Sequence, residues 1–395
     1  MDQLSNAGDV ARTPSGRFPK SRLAVSGLFL VNGFIVGSWA PKIPVFAEHL
    51  ELSESALGLM ILLFGVGSLL LMPVAGAQIA RLGSTAVVKI TGILLVPMLL
   101  LITLAGNIWT GAVAMVLFGG FTGAMDVAMN ANAVEVERSL RRAIMSSCHA
   151  FWSLGGLIGA VSGGFLLSMI GPMGHAIVLT AAAYAVLALC WPYIQHDAPH
   201  PEAVKTKVRL PMTPLPWLIG IVALFSMVPE GAILDWGALY VRQELGASVA
   251  MSGLAFGAFS LTMAVMRFAG DLVRDRLGAV RTIRICTVTA MIGMLISGFA
   301  PNALVATIGF AIAGIGISNM VPIAFSAAGN LPGMAQGIGL SVVTTMGYSG
   351  ILFAPSIIGF ISEHTGFAAI YATLPVLFLV VLALSHLARY ADSIR

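Results

Sequence analysis

The stretch Gly270-Asp271-Leu272-Val273-Arg274-Asp275-Arg276-Leu277-Gly278 sets charged residues and two glycines between long apolar runs. Its last three residues recur as Arg81-Leu82-Gly83, 195 positions earlier. The same offset aligns Gly58 with Gly253, Phe64 with Phe259, Asn107 with Asn302, and Gly119 with Gly314. It also aligns Gly155 with Gly350, Gly164-Phe165 with Gly359-Phe360, and Gly171 with Gly366. Glycines alone could match by chance. A constant offset over this length, with one shared polar loop, marks two parallel copies of one structural unit.

Composition tells what that unit is. Of 395 residues, 58% are hydrophobic and 10% charged, and mean hydropathy is +0.94. A soluble domain carries about 25% charged residues. This chain has too few charges to cover a water-facing surface, so it reads as an all-α polytopic membrane protein. Apolar runs fall at 23–45, 55–80, 86–106, 108–132, 143–170 and 174–195, then at 215–241, 249–272, 283–300, 303–328, 336–361 and 367–388. Each is long enough to cross a bilayer. Twelve spans in two bundles of six follow: a tail at 1–22, a first bundle at 23–195, a linker at 196–214, a second bundle at 215–388 and a short tail at 389–395.

Orientation comes from the basic residues. With the N-terminus inside, every Lys and Arg falls on the inner side except Lys42, Arg242 and Arg267. Both termini are therefore expected in the cytoplasm. The net charge of +4 is accounted for by these loops and calls for no nucleic acid. Cys148, Cys190 and Cys286 lie in or beside apolar runs with no ligand spacing, so neither a disulfide framework nor a metal site is expected. A Walker loop is missing as well. No cofactor is expected, and the driving force for any transport is expected from an ion gradient rather than ATP.

The loop sequences resemble the major facilitator superfamily, whose signature between helices 2 and 3 is Gly-x-x-x-Asp-Arg-x-Gly. The first copy, Gly76 to Gly83, has Ala80 in place of the Asp; the second keeps Asp275-Arg276 but shifts the leading Gly by one. The run Asp126-Val-Ala-Met-Asn130-Ala-Asn132, the run Ser147-Cys-His149-Ala-Phe-Trp152-Ser153, and Glu230-Gly-Ala-Ile-Leu-Asp235-Trp236 resemble the bacterial MosC/YbjJ-like subgroup, itself distantly similar to fucose permeases. The resemblance implies two six-helix bundles related by a pseudo-two-fold axis. It also implies a cavity lined by spans 1, 4, 7 and 10, with spans 3, 6, 9 and 12 facing lipid. Of two drug-antiporter signatures, the helix 4 one is absent, with Met115 in the Arg slot. The helix 5 one is degenerate: Gly155, Gly159, Gly163 and Gly164 are present with Ala160 for Pro. Such glycines also serve close helix packing.

Ionisable groups in spans are functional candidates because their insertion is costly. Spans 3, 6, 9 and 12 hold no internal acid, and His175 and His386 lie at their ends. Elsewhere Asn32 and Trp39, Asp126 and Asn130, His149 and Ser153, and Arg267 and Asp271 each share a helix face. Counting along the apolar runs puts Asp126, His149 and Arg267 in the inner third, Glu230 near the middle, and Lys42 and Asp235 in the outer third. Arg267 with Asp271 also reads as a local ion pair. Glu135 and Glu137, followed by Arg138, Arg141 and Arg142, read as a solvated loop network. Pro229 and Gly231 are expected to break span 7 beside Glu230.

The resulting expectation is a secondary active transporter of the bacterial inner membrane. It is expected to act as a monomer in the lipid bilayer on a small polar solute such as a sugar or cyclitol. Proton coupling is assigned to Glu230, Asp126 and Asp235. Asn32, Trp39, Asn130, His149, Trp152, Trp236, Asn319, Thr345 and Tyr348 are assigned to substrate binding. Lys42 with Asp235 would gate the outer side, and Asp126, Arg267, Asp271, Arg81, Asp275 and Arg276 the inner. The alternatives are proton-coupled efflux of amphipathic compounds and, in another class, a non-transporting sensor, for which the short linker offers no output domain.

Overall fold

The computed structural model describes residues 19–52, 54–197, 211–247, 249–334 and 336–392. Most of the expected N-terminal tail and of the 196–214 linker, and the last three residues, lie outside them. Among the described residues all regular structure is helical. The first half contains spans 1 (Lys20–Trp39), 2 (Glu54–Leu82), 3 (Ser84–Leu95 with Met98–Thr103) and 4 (Ile108–Leu140). Spans 5 and 6 form one continuous stretch, Met145–Cys190, bent at Gly171. The second half contains spans 7 (Leu215–Gln243), 8 (Val249–Leu277), 9 (Ala279–Gly298), 10 (Ala303–Ile317 with Met320–Gly329) and 11 (Gln336–Thr365). Span 12 runs as Phe367–Thr373 and Pro375–Leu384, then a 3-10 segment to Asp392.

The offset of 195 reappears in the backbone. Gly83 and Gly278 take φ 81° and 77° at matching turns, and Gly171 and Gly366 take φ 69° and 78°. An L-residue at such φ is strained, so the turns require glycine. Asn107 caps span 4 by accepting from the Thr110 amide at 3.0 Å, and Asn302 caps span 10 through the Val305 amide at 3.1 Å. Asp197 accepts from the Ser84 and Thr85 amides at 2.5 and 2.9 Å, and Asp392 accepts from the Ala279 amide at 2.6 Å. The last chain segment of each half thus caps its own third helix.

Three local expectations change. Span 4 continues to Leu140, beyond the apolar run, because Glu135, Glu137 and Arg138 remain helical against protein partners. Span 8 likewise runs through its charged end to Leu277. Span 7 stays helical through Pro229. Both Lys20 and Asp392 lie at one face with the turns at Gly83, Arg141 and Gly278; we call it the terminal face and its opposite the far face.

The glycines of span 5 pack it against span 1. A Cβ on Gly155 would lie 2.2 Å from the Leu30 carbonyl oxygen, and one on Gly159 would lie 2.3 Å from that of Phe34. Without side chains the two backbones meet directly, which is the packing role of such glycines in membranes. Gly156, on the next position, would place its Cβ 3.7 Å from the Gly33 oxygen, an ordinary contact. Gly155→Ala is therefore expected to force the helices apart at a cost of about 1–3 kcal/mol, lowering the thermal midpoint. Gly156→Ala should leave it unchanged; equal behaviour of the two variants in a melting experiment contradicts this packing.

Candidate functional site

Two polar layers join the halves. The lower one, at the terminal face, is built on the start of span 5, where the first amides of a helix have no partner within it. Five consecutive amides there each find a carboxylate. The Ala143 amide donates to Asp275 Oδ1 at 3.1 Å. Those of Ile144 and Met145 donate to Glu137 Oε1 at 2.9 and 3.1 Å. Those of Ser146 and Ser147 donate to Asp271 Oδ1 and Oδ2 at 2.9 and 3.1 Å. Asp271 and Asp275 belong to the second half, so the helix start docks one half on the other, with negative charge at the positive end of the helix dipole.

Glu137 is the centre of this clasp. It is 0% exposed, and its Oε1 also accepts from Arg274 Nη1 at 2.9 Å, while Oε2 accepts from the Ser326 hydroxyl. Arg274 in turn donates to the Ala391 carbonyl and reaches Asp392 at 3.5 Å. Both carboxylate oxygens are engaged, as a buried charge requires. Arg22 lies 3.7 Å from Asp271, Arg142 lies 3.9 Å from Asp275, and Arg138 donates to Asn330 Oδ1 and the Gly329 carbonyl, both at 2.7 Å. Glu135 pairs with Arg138 at 2.6 Å. The expected solvated Glu–Arg network is corrected here: Glu137 is a buried link between halves. Arg81 and Arg276 are exposed.

The upper layer lies at mid-depth. Because span 4 is longer than its apolar run, Asp126 is about 27 Å from one end and about 21 Å from the other, not in the inner third. Its carboxyl meets the Tyr348 hydroxyl of the second half, and its Oδ2 has no hydrogen-bond partner among the described residues. Arg267 Nη2 donates to Glu230 Oε1 at 3.0 Å, Nη1 to Ser153 Oγ of the first half at 3.2 Å, and Nε to the Ser318 carbonyl at 3.3 Å. The local Arg267–Asp271 pair is absent, and so is a pairing of Arg267 with Asp126. Arg267 belongs to Glu230, and Asp271 belongs to the clasp below.

The other assigned residues divide. Asn32 donates to the Thr122 carbonyl at 3.3 Å and accepts from Trp152 Nε1 at 2.9 Å, so these two tie spans 1, 4 and 5 together. Asn130 donates to the Asp126 carbonyl at 2.8 Å, and its Oδ1 lies 3.2 Å from His149 Nε2. His149 packs between the Phe29 and Phe325 rings, centroids 5.2 and 5.7 Å away. Trp39 packs edge-on to Phe46 and Phe118. Asn319 interrupts span 10 and presses on Gly270, where a Cβ would meet its Oδ1 at 1.7 Å. Buried atoms without partners include Asp126 Oδ2, Thr345 Oγ1, Trp236 Nε1 and Asn319 Oδ1. Such atoms are where a polar ligand or water bonds. Toward the far face, Asp235 is exposed, whereas Lys42 is buried and donates to the Pro172 carbonyl of its own half at 3.0 Å. The expected Lys42–Asp235 contact is not made in this state.

Glu137 and Arg274 were not assigned from the sequence. A partial signal existed: Asp271, Arg274 and Asp275 share a helix face by their three- and four-residue spacing, which marks that face for a partner. Nothing comparable singles out Glu137.

A model of the Major Facilitator Superfamily matches residues 25–240 and again 219–393. An uncharacterized MFS-type transporter of Yersinia pestis is 33% identical over 365 residues, covering 90% of this chain and 92% of its own. Membrane protein MosC of Rhizobium meliloti is 33% identical over 347 residues, covering 87% of this chain and 84% of its own. The chain belongs to the Major Facilitator Superfamily of membrane transporters. Among solved structures, the E. coli fucose:proton symporter FucP superposes with a TM-score of 0.77 at 16% identity, over 93% of this chain and 98% of its own. The proton:xylose symporter XylE superposes with a TM-score of 0.72 at 14% identity, over 94% of each chain. The twelve-helix fold is shared with both.

Removing one member of a buried ion pair costs about 3–5 kcal/mol, because its partner stays buried and unpaired. Glu137→Ala is expected to lower the thermal midpoint clearly. Adding Arg274→Met should then cost less than it does alone, the non-additivity of a direct contact. Strict additivity of the two losses would show that the clasp carries no coupling energy.

Proposed function

We propose that the chain carries a small polar solute of the sugar or cyclitol class across the bacterial inner membrane by alternating access, as a monomer, with proton movement coupled to it. The terminal face is cytoplasmic in this reading, which places nearly all Lys and Arg of the chain on that side. The observation that carries the proposal is the mid-depth layer. Two carboxyls, one arginine and one tyrosine lie between the halves, with unsatisfied polar atoms beside them.

Both carboxyls suit coupling, in different ways. Asp126 has the Tyr348 hydroxyl and no cation against it, so an arriving proton would cancel an unpaired buried charge. Glu230 is held by Arg267, so a proton there would release the guanidinium for a ligand oxygen. The hydroxyls of a sugar or cyclitol match the polar atoms left open at Asp126 Oδ2 and Thr345 Oγ1. Likeness to fucose:proton and xylose:proton symporters supports the same solute class. The glycine run of span 5 is used in packing against span 1, so it lends no separate weight to efflux.

A thermal-shift screen of the purified protein against sugars and cyclitols identifies the solute to use. In proteoliposomes, Asp126→Asn is expected to lose at least ten-fold of the accumulation driven by a pH gradient, while exchange of labelled for unlabelled solute continues. Glu230→Gln should lose accumulation too. Full gradient-driven accumulation in both variants would remove these carboxyls from the coupling step.

A further inference from the structure

Lys42 is out of place for a gate. It closes the 3-10 turn Ala40–Lys42 that follows span 1 near the far face, is 2% exposed, and its ammonium has three donors. Among the described residues only the Pro172 carbonyl accepts from it, at 3.0 Å, and no carboxylate pairs with it. His175 lies beside it, 0% exposed, with neither ring nitrogen hydrogen-bonded. Lys42 thus buries an ammonium against a single carbonyl, with no carboxylate paired to it. Burying an ammonium without an acceptor set is costly, and the chain itself supplies no remedy.

Space for an acceptor exists. Lys42 lines a cavity of about 270 Å³ whose other walls are Val45, Phe46, Ile102, Thr103 and Met173, with His49 among its polar residues. These residues come from the segment after span 1, the end of span 3 and the turn between spans 5 and 6. The cavity is therefore enclosed by the first half alone and is separate from the layer between the halves. Around it Leu101, Leu104, Met169, Ile170 and Met173 are exposed large apolar side chains, a surface suited to acyl chains rather than water. A ligand that suits this lining carries negative charge at one end and hydrocarbon at the other.

We infer that this cavity binds an anionic phospholipid of the far leaflet, with its phosphodiester on Lys42 and its chains along spans 3 and 6. The amine donates two further hydrogen bonds to phosphate oxygens, and the apolar walls hold the glycerol end. The lipid would brace the 5–6 turn through Lys42 and Pro172, on the outside of the half that carries Asp126.

The test uses the full chain, purified and delipidated, with lipids added back in neutral detergent and thermal midpoint and native mass spectrometry as readouts. Phosphatidylglycerol is expected to bind saturably and raise the midpoint. Phosphatidylcholine, with its own cation, should bind at least ten-fold more weakly. Lys42→Met should weaken phosphatidylglycerol at least ten-fold, and Lys42→Arg should retain it. Val45→Trp, which fills the cavity from its wall and leaves the amine in place, should weaken it as well and covers the case in which Lys42→Met does not fold. Unchanged phosphatidylglycerol binding in either Lys42→Met or Val45→Trp overturns the site. An equal response to inorganic phosphate alone overturns the lipid assignment. Because these readouts are binding and stability, they stand or fall independently of which solute is carried.

Discussion

Five amides at the start of span 5, Ala143 to Ser147, have no acceptors inside their own helix, and three carboxylates supply them. Two of the three, Asp271 and Asp275, come from the other half of the molecule. The third, Glu137, is local but is itself held by Arg274 and Ser326 of the other half. A helix start is a good docking point for this purpose because its amides are satisfied equally well by water once the halves separate. The clasp is thus strong when dry and inexpensive to replace when wet, which is what a reversible closure needs. Hydrogen bonds and ion pairs join the halves in this clasp and in the mid-depth layer above it.

The two layers differ in what they leave unsatisfied. In the clasp both oxygens of Glu137 are engaged by protein donors, so it holds or releases. In the mid-depth layer Asp126 Oδ2 and Thr345 Oγ1 remain open, so that layer can respond to a ligand or a proton. Tyr348 joins the responses: it meets Asp126 of the first half and lies near Glu230 and Arg267 of the second. A change in protonation at Asp126 alters a contact between halves directly, with no long pathway required. Coupling of 1–3 kcal/mol, about the size of one or two such contacts, shifts a two-state population about 5–150-fold.

The repeat and the twelve crossings were legible because they rest on spacing and hydropathy, which survive without knowledge of contacts. The cap pair Asp197 and Asp392 obeys the same offset. Glu137 was not readable. In sequence it stands among Glu135, Arg138, Arg141 and Arg142, which is the appearance of a solvated helix end, and its deciding partner Arg274 is 137 residues away. The apolar run of span 4 ends before its helix does, which puts Asp126 nearer one face in sequence than it lies in the fold. Polar residues that stay helical through contact with protein do not show in hydropathy. Lys42 and Asp235 are near-equivalent by the repeat, but equivalence in two bundles does not make two residues meet.

The central claim is that the clasp at the start of span 5 holds the two halves together at the terminal face. Double electron–electron resonance tests it most directly, with spin labels at the exposed positions Arg141 and Arg276, one on each half, in a cysteine-free background. The wild-type background should give one dominant short distance, and Glu137→Gln should add a longer population. A distance distribution unchanged by Glu137→Gln would contradict the account.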